Sequence, residues 1–252
     1  MQATAPKARA WHRRARPLLG TLIDIGVALP DEDAAHAACD AAYAAIADVQ
    51  ACLSRFDASS DIARFNALPA GASLPLRAHT RAVLQAARSL HADSAGLFDI
   101  SLGLPQGWDC DDQRLYKHAR DVQLDLGGIG KGHAVDCAVE TLIAHGCTAG
   151  WVNAGGDLRA FGPVEVPLAL RDEAHGGTRC LGHLADGAFA TSHFAPGSRS
   201  HVYAQAGRRV EAHVSVAAPQ CLWADALTKI VALSGDARHP LVERLGAQAW
   251  LH

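Results

Sequence analysis

Residues 124–157 read LDLGGIGKGHAVDCAVETLIAHGCTAGWVNAGGD, and the rest of the chain is organised around them. Gln123–Leu126 is short and apolar, carries one aspartate, and is expected to be a strand. Gly127, Gly128, Gly130 and Gly132 then allow backbone geometries and close ligand approach that a Cβ would block. From about Lys131 to His145, Ala134, Val135, Ala138, Leu142 and Ile143 recur at helical spacing, and Gly146 is a natural stop. Trp151 and Val152 form an apolar run that ends in Asn153-Ala154-Gly155-Gly156-Asp157. Two glycine-rich turns, each beside an acidic residue and one at a helix N-terminus, suit a phosphate-bearing ligand.

Two common phosphate motifs are excluded. A P-loop needs glycine five positions before Gly130 and a hydroxyl residue after Lys131, where this chain has Asp125 and Gly132. The dinucleotide fingerprint started at Gly128 requires glycine where His133 stands. On spacing alone, a plain strand–helix–strand unit with tight turns remains open beside the ligand reading.

At 252 residues the chain can bury a substantial core, as one large domain or two intimate subdomains. A formal net charge of −3 with 19% charged residues gives no electrostatic case for nucleic acid or a membrane surface. Seven scattered cysteines without any C-x-x-C fit reduced thiols in a cytosolic protein better than a disulfide framework. Cys137 and Cys147, in or near the central helix, read as packing residues rather than ligands. Residues 1–16 are basic, with no uninterrupted apolar run after them and no lipoprotein cysteine, and are expected to be a loose arm. A cytoplasmic location follows, unless a leader has been removed.

Along the chain, Leu18–Leu29 alternates like a strand, and Asp31 to about Cys52 is an alanine-rich helix that Asp31 or Asp33 can cap. A short helix is expected over Ile62–Asn66 and another over Arg77–Ala92. Asp109–Asp121 is polar and expected to be a loop. Short apolar runs near 158–161, 164–170, 179–184, 188–192, 201–203 and 210–217 read as antiparallel strands of one sheet. Trp223–Leu233 and Pro240–Leu245 are helical and Gln248–His252 a terminal strand. The fold class is α+β, antiparallel sheets with flanking helices, a single domain over residues 17–252 with a cleft between two lobes.

D-L-G-G-I-x-K-G-x-x-x-D followed by V-N-x-G-G-D resembles the ApbE family of FAD:protein FMN transferases. Leu18-Leu19-Gly20-Thr21, Phe98-Asp99, Ala190-Thr191-Ser192 and Ala224-Asp225-Ala226-Leu227 match in the same order, so the resemblance spans roughly residues 14–252. It implies the ApbE (T-fold-like) fold and transfer of FMN from FAD to a Ser or Thr hydroxyl of an acceptor protein, with release of AMP. The partners implied are FAD and that acceptor. The alternatives are an FAD-binding module without transfer, and a Mg²⁺-dependent FAD pyrophosphatase in which water replaces the hydroxyl.

The resemblance also implies site residues. Leu19, Phe56, Leu97, Phe98, Asp99, Asp125, Lys131 and Val202 fall at flavin-nucleotide contacts, Lys131 placed to meet phosphate oxygens. For Phe56, a core aromatic beside a helix start is the competing reading. His201 stands where the family has a proposed base, but the following Asp-Pro is lost. The metal positions are Gly128, through its backbone, and Asp225, which is also a catalytic candidate. The family's threonine, four residues after that aspartate, is Lys229 here. Thr228 stands one place earlier, about 100° around the helix. Either Thr228 or water completes a Mg²⁺ site, or Lys229 supplies a fixed positive charge in its place. An exposed i,i+4 salt bridge between Asp225 and Lys229 is the plainest reading.

Overall fold

The computed structural model describes residues 10–171, 176–195 and 210–252. Its centre is a seven-stranded antiparallel sheet. The strands are β1 (Trp11–Leu18), β2 (Thr21–Ala28), β6 (Gly150–Ala154), β7 (Asp157–Phe161), β10 (Gly187–Phe194), β11 (Ala212–Ala218) and β12 (Gln248–Leu251), hydrogen-bonded in that order. Three helices pack on one face: α1 (Glu32–Leu53), α4 (Gly130–Ala144) and α5 (Cys221–Ser234). The antiparallel α+β architecture expected from the sequence is the one found.

Helix α1 forms where expected because Asp31 caps it, accepting from the Asp33 and Ala34 N–H groups at 2.9 and 3.3 Å. Its buried stripe is Ala35, Ala38, Cys39, Ala42, Tyr43, Ile46 and Val49, one face at helical period. Small alanines let α1 lie close against α4, whose buried face is Ala134, Val135, Ala138, Val139 and Leu142. The short helix α2 (Asp61–Ala67) and α3 (Ala78–Asp93) extend this layer, and α6 (Pro240–Arg244) precedes β12. Among the described residues, no helix is long and apolar enough to cross a membrane.

The structure corrects four expectations and leaves a fifth outside the described residues. From Trp11 onward the supposed basic arm is edge strand β1, paired with β2 from Trp11↔Ala28 to Leu18↔Thr21. Arg14 and Arg16 reach Asp40 of α1 at 2.7 and 2.6 Å, so these basic residues tie the strand down rather than leave it solvated. Gln123–Leu126 is irregular rather than a strand. The Leu124 N–H donates to Asn66 Oδ1 at 2.8 Å and its carbonyl accepts from Asn66 Nδ2 at 3.0 Å, so a side chain takes the place of a strand partner. The polar stretch 109–121 is not all loop. It contains the end of β4 (Trp108–Cys110) and all of β5 (Arg114–Lys117), which form a three-stranded sheet with β3 (Ser73–Pro75). The strands β8 (Val166–Arg171) and β9 (Thr178–Leu184) form a ribbon of their own instead of joining the main sheet. Leu158, Ala160 and Phe189 of the main sheet pack with Leu184 of that ribbon in a second, smaller apolar cluster. Finally, the strand expected over 201–203, with His201 and Val202, lies outside the described residues.

Candidate active site

Helices α4 and α5 begin side by side, and each supplies the other's missing cap. Neither N-cap residue, Ile129 or Gln220, makes a side-chain capping hydrogen bond. Asp136 of α4 instead accepts from the Cys221 and Leu222 N–H groups at 2.9 and 2.8 Å. Arg159 of β7 braces the same carboxylate at 2.8 Å. In return, Asp225 of α5 accepts from the Gly132 N–H at 3.3 Å. These contacts satisfy donors that a helix start leaves orphaned. They require Gly132, because a Cβ there would lie 2.3 Å from the Cys221 carbonyl oxygen.

Four charged side chains meet where the two helix starts converge. Asp225 is fully buried and Asp157, the first residue of β7, nearly so. Lys131 forms an ion pair with Asp157 and lies 3.7 Å from Asp225 Oδ2. Lys229 forms an ion pair with Asp225 Oδ1 and donates to its backbone carbonyl at 3.0 Å. Its stem packs against the glycine turn, since a Cβ on Gly128 would sit 3.2 Å from Lys229 Cε. Two carboxylates and two ammoniums make a cluster with no net formal charge. Burial pushes the Asp225 carboxyl up, but Lys131, Lys229 and the Gly132 N–H together hold it below the usual carboxylate range. Asp157 is shifted the other way, by burial first and by the neighbouring Asp225 charge second. Burial opposes the charge on Lys131, but the two carboxylates outweigh it and hold the ammonium well above the ordinary lysine range.

Of the expected site residues, Gly128, Lys131, Asp225, Thr228 and Lys229 come together here. Lys131 is turned onto carboxylates rather than left free for phosphate. The exposed salt bridge considered for Asp225 and Lys229 is ruled out, because the aspartate has no solvent contact. A hard divalent cation at Asp225 would sit about 2.1 Å from a carboxylate oxygen, crowding the ammonium already bonded to that carboxylate. Thr228 Oγ1 donates to the Asp225 carbonyl at 2.7 Å and meets the Ser192 hydroxyl at 2.9 Å. The residues therefore do not fit Mg²⁺ at Asp225 while Lys229 keeps its place.

The remaining candidates lie further out. Leu19 sits in the β1–β2 turn with φ +54° and its N–H on Gln50 Oε1 at 2.9 Å. Thr21, beside that turn, fills the space a Cβ on Gly155 would need. The first strand turn and the second glycine turn are thus in contact. Asp125 takes Arg55 Nη1 at 3.1 Å and the Gly127 N–H at 2.9 Å. Phe56 is 85% exposed, with the Arg55 guanidinium 4.8 Å from its ring centre. That overturns the core reading of Phe56 and leaves its ring on the wall of a groove of about 460 Å³ with Arg55 and Arg64. Phe98 is a core residue and Leu97 is half-buried beside it. Asp99 accepts from the Ser101 and Gly103 N–H groups at 2.8 and 2.9 Å and lines a separate cavity of about 350 Å³. The link between that segment and the glycine turn is the Asp125 N–H, which donates to the Ile100 carbonyl at 2.9 Å.

Asp136, Asp157 and Ser192, whose Oγ is 3.4 Å from Lys229 Nζ, were given no role from the sequence. All three stand inside the quoted motifs, and their place there was the available signal.

Comparison with known proteins identifies the family and the fold. The model of the ApbE family matches residues 19–109 and 104–251. No curated protein is a significant match. Among solved structures, the flavinyl transferase ApbE of Pseudomonas stutzeri, in its apo form, is similar at TM-score 0.80 and 25% identity, over 98% of this chain and 92% of its own. The flavin transferase ApbE of Vibrio cholerae is similar at TM-score 0.81 and 20% identity, over 97% and 94%. The ApbE protein of Thermotoga maritima is similar at TM-score 0.79 and 21% identity, over 96% and 94%.

Proposed function

The chain belongs to the ApbE family, and from that premise we propose that it is an FAD:protein FMN transferase. It moves FMN from FAD to a Ser or Thr hydroxyl of an acceptor protein and releases AMP. The observation that carries this reading is the quartet beside the glycine turn, in which the buried carboxylates of Asp157 and Asp225 hold the half-buried ammoniums of Lys131 and Lys229.

In the transfer, the acceptor oxygen bonds to the phosphorus of the FMN half. The anhydride P–O bond breaks, and AMP departs with the bridging oxygen. The hydroxyl proton passes to a base, for which His201 is the candidate. Negative charge grows on the phosphoryl oxygens and on the leaving AMP. Ammoniums already fixed by buried carboxylates meet that charge without rearranging, which is where such a site gains its rate. Lys229 then takes the part that a divalent cation would otherwise play. Asp225, held ionised by both lysines, is a positioning residue rather than a base. The exposed Phe56 ring and its stacked Arg55 offer a face on which a flavin or adenine ring can lie.

One observation favours a second reading, an FAD-binding module without transfer. Each lysine already has a carboxylate partner, so a pyrophosphate must compete for it. The test is AMP release and flavin retained on denatured acceptor, using metal-stripped protein, FAD and Ser/Thr peptides in chelator. Both products are expected without Mg²⁺ and are lost in Lys229→Ala. Lys229→Thr is expected to regain them only when Mg²⁺ is added. AMP without covalent flavin would indicate a pyrophosphatase, and bound FAD with neither product the binding module. A Mg²⁺ requirement in the parent protein would remove Lys229 from the cation's part.

A further inference from the structure

Cys137 was expected to be a packing residue, yet it lies with two histidines in a cluster that the flavin site does not use. His133 and Cys137 are one helical turn apart on α4, and His79 reaches them from the first turn of α3. His79 Nδ1 is 3.2 Å from His133 Nε2, and Cys137 Sγ lies 3.6 Å from His133 Nε2 and 3.9 Å from His79 Nδ1. All three side chains are half-buried, and no other group of three metal-ligating side chains comes together in this way among the described residues.

We propose that His79, His133 and Cys137 form a three-ligand site for a borderline-soft divalent cation of the zinc class, with the fourth position open to solvent. Zinc bonds of about 2.0–2.1 Å to nitrogen and about 2.3 Å to sulfur, at tetrahedral angles, put ligand atoms about 3.4 Å apart for N···N and about 3.6 Å for N···S. The observed separations match those within a few tenths of an ångström, so an ion enters with little movement of the helices. The donor set of two imidazoles and a thiolate selects Zn²⁺-like ions over Mg²⁺ or Ca²⁺, which take oxygen. A bound ion would cross-link α3 to α4, which otherwise share α1 as their packing partner. It would thereby brace the helix whose first turn carries Lys131. Three protein ligands and one open position leave room for water or a small exogenous donor.

The test is a Co²⁺ titration of untagged, metal-stripped, full-length protein, which needs no flavin and stands apart from the proposed transfer. Tetrahedral visible bands and a thiolate-to-cobalt charge-transfer band are expected to saturate at one ion per chain. Zn²⁺ is expected to abolish them and to raise the melting temperature. Cys137→Ser is expected to lose the charge-transfer band, and His79→Gln to lose the tetrahedral bands. Melting in chelator must show both variants folded. An octahedral spectrum in the parent, or an unchanged spectrum in both folded variants, would overturn the site.

Discussion

A threonine and a lysine at position 229 would ask different things of Asp225. The lysine brings its own charge into a place with almost no water, so it is tolerable only while the carboxylate opposite is present. Asp225→Asn should therefore destabilise the protein by about 3–5 kcal/mol, the usual cost of stranding one partner of a buried pair. The double variant Asp225→Asn/Lys229→Met should be less destabilised than Asp225→Asn alone, because no charge is stranded. Urea unfolding of the three proteins measures this, and equal losses in the single and double variants would contradict it. The identity of these residues was legible in the sequence, since Asp225, Lys229 and Lys131 all fall in recognisable motifs. The direction of Lys131 was not. It depends on Asp157, which arrives on β7 after the whole of α4 and β6, and no local spacing reports that meeting.

At the scale of elements, the helices were the legible part. The apolar period of α1, α3, α4 and α5 survives any tertiary context, because each buries one stripe. The short strands were not, because β3, β4 and β5 hold three or four residues each and carry charges such as Asp109, Arg114 and Lys117. Pairing between distant segments, rather than composition, makes them a sheet. The reciprocal capping of α4 and α5 was equally invisible, because it joins groups 85 to 93 positions apart. It also makes a prediction. Asp136→Ala leaves the Cys221 and Leu222 N–H groups and Arg159 without their acceptor, at a cost of about 1–3 kcal/mol. It should lower FAD turnover as well, since Asp225 rides on the helix that is freed. Asp136→Asn keeps an acceptor oxygen and should recover much of the stability. Thermal melts with AMP release check both, and full activity in a destabilised Asp136→Ala would separate capping from the site.

For the molecule as a whole, the seven-stranded sheet is the frame that brings β7, β10 and α5 to one place. Its β1 edge shows why a basic N-terminal stretch misled the reading. Alternate residues such as Trp11 and Arg13 face solvent, which looks like an arm until the strand finds β2. Deleting residues 1–18 should lower the melting temperature and increase light scattering on heating, because it bares the β2 edge with Ile23 and Ile25 behind it. An unchanged melting curve would restore the loose-arm picture. The mutual capping has a last consequence, in the order of synthesis. A chain made from its N-terminus presents α4 and the first glycine turn long before α5 exists. Until the ribosome has added Asp225, the start of α4 has no cap and Lys131 lacks one of its two anchors. The charged cluster at the two helix starts is therefore assembled only after α5 has been made, long after α4.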